Sequence, residues 1–253
     1  MPQFNEVKTV KYIDDTTLAQ SIAGRSDDKT GTAIHDIVQW ATKNHMKLNS
    51  NKTKELQIHF KRKPLNLEPI EIQGKEIEKV NKYKILGVTV NANLTWNDHV
   101  NAIVSKASQR LYFMKQLHRS GAPMQDLLIF YKAVVRSLLE YSCQTWHPGL
   151  TKEQTELIEK VQERAMRIMC PGDNVEQCLE KTKLEKLDNR RTQLCIELYR
   201  KIEKPSHKLH KLLPARRTHQ YWTQNCEKRT ISKIRNERYK KDFRVKAILE
   251  YQK

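Results

Sequence analysis

The chain has 253 residues, 38% hydrophobic and 30% charged, enough for one large or two small packed units under a heavily charged surface. No window approaches the uncharged apolar run of about 18 residues that a membrane span needs, and "MPQFNEVKTVKY" lacks a secretory apolar segment, so the expectation is a soluble, intracellular protein. The net charge of +18 is uneven: residues 181–253 carry 22 Lys and Arg against 8 Asp and Glu, and residues 1–180 carry 25 against 21, which points to a polyanionic partner such as nucleic acid.

Residues 7–20 read as two short strands. Val7, Val10 and Tyr12 precede the adjacent acids Asp14 and Asp15, and Thr16, Thr17 and Leu18 follow them. Residues 32–46 read as a helix, with Ala33, Ile34, Ile37, Val38, Trp40 and Ala41 at three- and four-residue spacings. The runs "LQIHF", "IEIQG" and "YKILGVTV" read as short strands punctuated by Pro64, Pro69 and Gly74.

From Trp96 the period becomes helical. Val100, Ile103, Val104, Ala107, Leu111, Met114 and Leu117 form one stripe, and Leu127, Leu128, Tyr131, Val134, Val135, Leu138 and Leu139 form a second. A third helix opens at Thr151, whose spacing to Gln154 fits a capping box, and Pro171-Gly172 stops it. A fourth is expected over about 183–203. Beyond Pro205 the apolar pattern thins and basic residues dominate, so a partly disordered tail is expected. The fold class is α+β over 1–93, helical over 94–204 and a basic tail over 205–253.

The five cysteines, Cys143, Cys170, Cys178, Cys195 and Cys226, are odd in number and widely spaced, which favours reduced thiols, no disulfide-linked partner and no zinc site. His207 and His210 read as solvated or packed side chains, although they could be assembled with Cys195 or Cys226 into a metal site on paper.

Paired carboxylates at the tip of a rigid β-hairpin suit Mg²⁺, a hard cation that takes oxygen ligands. In two-metal phosphoryl transfer, one ion activates the attacking hydroxyl and the other steadies the leaving group. A plain Asx-rich turn is the alternative, and Asp27-Asp28, with no strand leading in, is read as a plain loop or helix-start pair. "YIDD", then "IVQWATKNHMKLNSNKTKELQIHF", then "YKILGVTVNANLTWNDHV", in that order and spacing, resembles the reverse transcriptase of LINE-type (non-long-terminal-repeat) retrotransposons. "RLYFMKQL", "FYKAVVRSLLEYSCQTWHPGLT" and "IEKVQERAMRIM" continue the likeness to about residue 170.

The resemblance implies a partial polymerase palm followed by a helical thumb bundle and the basic tail, with Mg²⁺, an RNA template and a DNA primer as ligands, and the nucleus as the compartment. It implies that Asp14 and Asp15 are the hairpin's metal ligands, Asp14 the more direct one. Tyr12 would lie under the primer end. Lys52 in "NKT" resembles the lysine that protonates departing pyrophosphate, and is equally a solvated lysine beside a turn. Gly87 would fall in the segment supporting the primer terminus, or is a strand glycine tolerated for packing. Ile13 stands where this group commonly has a small Ala.

The family also needs another metal-binding aspartate on an earlier strand, and only Glu6 is acidic ahead of Tyr12. The expectation is therefore a polymerase fragment that is inactive alone, with weak Mg²⁺ binding and an open edge on its hairpin. The alternative is a non-catalytic nucleic-acid-binding remnant. In that reading Arg216 and Arg217 meet phosphates, and Tyr221 and Trp222 either stack on bases or anchor the tail against the helices.

Overall fold

The structure is a computed structural model that describes residues 2–22, 28–60, 67–216, 229–234 and 236–251. The chain forms two compact units, over 1–94 and 95–253.

In the first unit, β1 (Val7–Tyr12) pairs antiparallel with β2 (Asp15–Gln20), in a register running from Val7 opposite Gln20 to Tyr12 opposite Asp15. Helix α1 (Thr30–Lys43) buries Ala33, Ile37 and Ala41, one stripe at four-residue spacing. Its start is tied to the hairpin. The Gln20 side-chain oxygen accepts from the Lys29 amide and the Thr30 hydroxyl, and the Asp28 carboxylate accepts from the Thr30 amide at 2.9 Å. Asp28 is thus at a helix start, and Asp27 lies outside the described residues.

Among the described residues six short strands follow: β3 (Lys54–Glu55), β4 (Glu71–Ile72), β5 (Lys75–Glu76), β6 (Glu78–Lys79), β7 (Lys82–Ile85) and β8 (Val88–Asn91). β3 pairs parallel with β6, β4 antiparallel with β5, and β7 antiparallel with β8. Among the described residues every sheet has two strands. Ile70, Ile72 and Ile77 form a small core against Ile34, Val38 and Leu48.

Two strand expectations are corrected. "LQIHF" is irregular after Lys54–Glu55. "YKILGVTV" is a hairpin rather than one strand, because Leu86 (φ +46°) and Gly87 (φ +89°) form a two-residue turn with both central residues left-handed, as a type I′ hairpin needs. Gly87 is therefore a turn glycine, and the reading of a packed strand glycine does not hold.

The second unit is helical. It contains α2 (Asn97–Arg119), α3 (Met124–Phe130) running through a π-helical turn (Tyr131–Arg136) into α4 (Ser137–Glu140), then α5 (Cys143–Trp146) and a 3₁₀ turn (His147–Gly149). α6 (Lys152–Met169), α7 (Val175–Thr182), α8 (Leu187–Ile202), α9 (Glu237–Lys240) and α10 (Phe243–Tyr251) follow.

The expected capping box of α6 is present: Thr151 Oγ1 accepts from the Gln154 amide at 3.2 Å, and Gln154 Oε1 accepts from the Thr151 amide at 2.9 Å. Its apolar stripe packs Ile158, Val161, Ala165, Met166 and Met169. The fourth expected helix begins later, at Leu187, and α7 precedes it as a separate helix. α7 has its own capping box, Asn174 with Gln177, the signal in the sequence that marks it.

In the C-terminal part, Leu213, Ala247 and Ile248 are buried with Tyr199 and Ile202, so apolar residues recur there at core spacing despite the basic composition. Cys170 and Cys178 are joined in a disulfide, with Cα atoms 6.0 Å apart. This corrects the expectation of reduced thiols for that pair: the turn after α6 brings α7 back onto it and places two widely spaced cysteines side by side. Cys143 and Cys195 are free and buried. Among the described residues no helix is long and apolar enough to cross a membrane.

Candidate functional site

Tyr12 and Asp15 face each other as the last cross-strand pair of the first hairpin, leaving Ile13 and Asp14 as its loop. Ile13 has φ +52° and is 73% exposed. A β-branched residue in the left-handed region costs roughly 1–2 kcal/mol, and strain of this kind concentrates at functional sites. Both carboxylates are exposed, and neither hydrogen-bonds or ion-pairs with another described residue. The tip presents hard oxygen donors on short, register-locked backbone.

Two carboxylates supply only part of a Mg²⁺ shell. Among the described residues no group of three or more His, Cys, Asp and Glu is arranged to hold a metal ion. Glu6 sits just before β1, at the opposite end of the hairpin, roughly 20 Å of strand from the tip, and is ion-paired with Lys29 Nζ at 3.0 Å. The donor set is thus incomplete for a two-metal centre, and no catalytic step follows from these residues.

Lys52 is exposed in a turn closed by Asn49, whose side-chain and backbone oxygens both accept from the Lys52 amide at 3.1 Å. The Lys52 carbonyl accepts from the Tyr83 hydroxyl at 3.4 Å. These backbone bonds fix the turn and leave the ammonium outward. Gly87 shapes the turn of a different hairpin. Arg216 is exposed, and its backbone bridges to Arg229; Arg217, Tyr221 and Trp222 lie outside the described residues. His210 Nδ1 lies 2.9 Å from the Ile202 carbonyl and His207 Nδ1 accepts from the Leu209 amide, so both rings are engaged locally.

A buried charged cluster lies in the helical unit and was not legible in the sequence. Arg191 is fully buried. Its Nε donates to His147 Nδ1 at 3.3 Å, its guanidinium lies 5.8 Å from the centre of the Trp146 ring, and Glu159 and Asp188 approach at 3.8 and 4.0 Å. Nη1 and Nη2 have no hydrogen-bond acceptor among the described residues.

Glu159, on α6, also caps α8: its two oxygens accept from the Leu187 and Asp188 amides at 3.2 and 2.6 Å, where the local N-cap residue Lys186 supplies nothing. Burial raises the Glu159 pKa and lowers that of Arg191. Burial first, then the charges of Arg191 and Lys246, holds His147 down to about 3. Because Nδ1 accepts from Arg191, the ring is neutral with its proton on Nε2, donated to Thr192 Oγ1 at 3.1 Å. This cluster is a buried fastening between α5, α6 and α8.

A family model described as "Alkylated DNA repair protein alkB homolog 8, N-terminal" matches residues 96–137, the stretch from α2 to the start of α4. Two curated proteins of Drosophila melanogaster are similar over a longer stretch. "Probable RNA-directed DNA polymerase from transposon BS" is 26% identical over 167 residues, covering 63% of this chain and 18% of that protein. "Probable RNA-directed DNA polymerase from transposon X-element" is 24% identical over 165 residues, covering 62% and 18%. The chain therefore spans less than a fifth of the length of these relatives, and is distantly related to RNA-directed DNA polymerases of transposons. No solved structure matches the chain.

Proposed function

We propose that this chain is a portion of a retrotransposon reverse transcriptase of the LINE type, comprising the late palm, the thumb and a basic tail, and that it does not polymerise DNA on its own. The observation that carries the reading is the hairpin tip. Asp14 and Asp15 stand exposed beside a strained Ile13, directly after Tyr12, in a chain distantly related to transposon polymerases. In this reading Tyr12 lies beside the primer end, Lys52 faces the departing pyrophosphate and Gly87 shapes the turn next to the primer. Asp14 and Asp15 bind Mg²⁺ weakly from water, because two adjacent carboxylates leave most of its shell to solvent.

The test is primer extension by the purified chain on an RNA template, with Mg²⁺ or Mn²⁺, beside Asp14→Asn. No extension is expected from either protein. Metal-dependent extension that disappears in Asp14→Asn would overturn the inactivity.

The second reading, a non-catalytic nucleic-acid-binding remnant, is favoured by the concentration of 22 Lys and Arg in residues 181–253. Its signature is affinity for RNA or DNA that falls steeply with salt as counterions are released; affinity indifferent to salt would reject it.

A further inference from the structure

Three sulfur atoms meet beyond the last turn of α6. Cys170 caps that helix, Cys178 stands on α7, and Met124 opens α3. Cys170 and Cys178 are bonded to each other, and Met124 Sδ lies 4.0 Å from Cys170 Sγ. Cys178 Sγ lies 3.8 Å from the Met166 carbonyl, so its side chain is turned toward α6. Both cysteines are buried and Met124 is half-buried. The backbone is pinned on both sides of Cys170: its amide donates to the Met166 carbonyl at 2.8 Å, and its carbonyl accepts from the Asp173 amide at 3.2 Å. Pro171 and Gly172, which follow directly, are exposed, so Cys170 sits one residue from solvent.

The donor set is chemically uniform. Among the described residues no His, Asp or Glu joins this cysteine pair in a group of three, and the third donor beside it is a thioether. Thiolate and thioether are soft ligands that select monovalent copper. Mg²⁺ takes oxygen, and structural Zn²⁺ takes four ligands, which this cluster does not supply.

We propose that Met124, Cys170 and Cys178 form, once the bond between the cysteines is reduced, a site for a soft monovalent cation of the Cu(I) class. A thiol reductant opens the bond by exchange and is itself oxidised to a disulfide, leaving two cysteine thiols. The Cα atoms, 6.0 Å apart, let the freed sulfurs separate by side-chain rotation onto a shared ion. Cu(I) then binds both sulfurs and the Met124 thioether, and the two displaced protons go to solvent. The copper keeps its oxidation state throughout. Oxidised, the pair fastens α7 to α6; metallated, the same residues also hold α3. The inference uses no part of the polymerase reading.

The test uses the full chain, reduced with a phosphine under anaerobic conditions and titrated with Cu(I) against the chromophoric chelator bicinchoninate. The expected result is a single copper retained by the reduced protein and none by protein whose bond is intact. Cys178→Ala should abolish retention. Met124→Leu keeps volume and apolarity and removes only the thioether. It should weaken retention about tenfold or more, since even groups that merely support a ligand change metal affinity by that factor. Copper X-ray absorption should show sulfur neighbours alone, with one fewer in Met124→Leu. Circular dichroism checks the fold of each variant, and Met124→Leu, the mildest change, decides the matter if Cys178→Ala does not fold. Retention unchanged in Met124→Leu, or retained in a folded Cys178→Ala, would overturn the proposal. So would copper lost from a folded variant carrying Cys143→Ala and Cys195→Ala, or Zn²⁺ held as tightly as Cu(I).

Discussion

Residues 1–94 and 95–253 solve the same problem differently. Among the described residues the first unit is assembled from two-stranded sheets and one helix, with a core of a few isoleucines and with its candidate functional groups on exposed turns. A two-stranded hairpin is at best marginally stable by itself, so its shape depends on turn chemistry and on the contacts of α1. The second unit buries long stripes from several helices and fastens them through a charged cluster centred on Arg191. Charge at the hairpin tip is exposed to solvent, whereas charge at Arg191 is enclosed, with Glu159 and Asp188 approaching it. Position in the fold, rather than residue type, decides which charges are available for chemistry.

The largest effect that would break this comparison is at Glu159. Glu159→Ala removes both the carboxylate nearest Arg191 and the cap of α8, leaving a buried cation with one partner fewer. The expected loss is about 3–5 kcal/mol of stability by urea denaturation, with Glu159→Gln in between because its amide oxygen can still accept from one backbone amide. A loss under about 1 kcal/mol would mean that Arg191 reaches water, and the contrast between enclosed and free charge would collapse.

A pH titration sharpens it next. His147 is held near 3 in the folded chain against about 6.5 when unfolded. Above 6.5 both forms are neutral and the histidine contributes no pH dependence. Between 6.5 and 3 the unfolded chain binds the extra proton, so stability falls as the pH falls, by about 2–3 kcal/mol at pH 4.5. Protonation would set an Nδ1 proton against the Arg191 guanidinium. Glu159, with its raised pKa, works in the opposite sense, because protonating it in the folded state relieves the cost of burying its charge. Comparing the parent with His147→Gln isolates the histidine: the acid-induced loss should shrink by that amount, and identical pH profiles would refute the assignment.

The smallest effect concerns the hairpin. Ile13→Gly removes the left-handed strain and should steady the β1–β2 pair by about 1 kcal/mol, seen as slower amide hydrogen exchange from Val7 to Gln20. Unchanged exchange would show that the hairpin is stabilised by its neighbours rather than limited by its turn.

Much of this architecture is written in local patterns. The acid-bearing hairpin follows from β-branched runs flanking Asp14 and Asp15. α2 and α6 follow from their apolar stripes, and the start of α6 from the Thr151–Gln154 spacing. Where expectation failed, a local feature was weighed at the wrong scale. "YKILGVTV" has the composition of one strand, yet two consecutive left-handed residues, Leu86 and Gly87, fold it back on itself. α7 is too short and polar to stand out by periodicity, although its capping box is in plain view.

The sequence by itself determined the hairpin over 7–20, the helices α1, α2 and α6, that the paired acids sit at the hairpin's tip, and that positive charge gathers toward the C-terminus, because each of these depends on residues within a few positions of one another. Only the tertiary structure decided that Cys170 meets Cys178, that Glu159 of one helix caps another, that Arg191 is enclosed with a neutral His147, and that Leu117 is left exposed instead of joining the core. Those outcomes depend on which faces of distant helices are brought together, and no spacing along the chain encodes that directly.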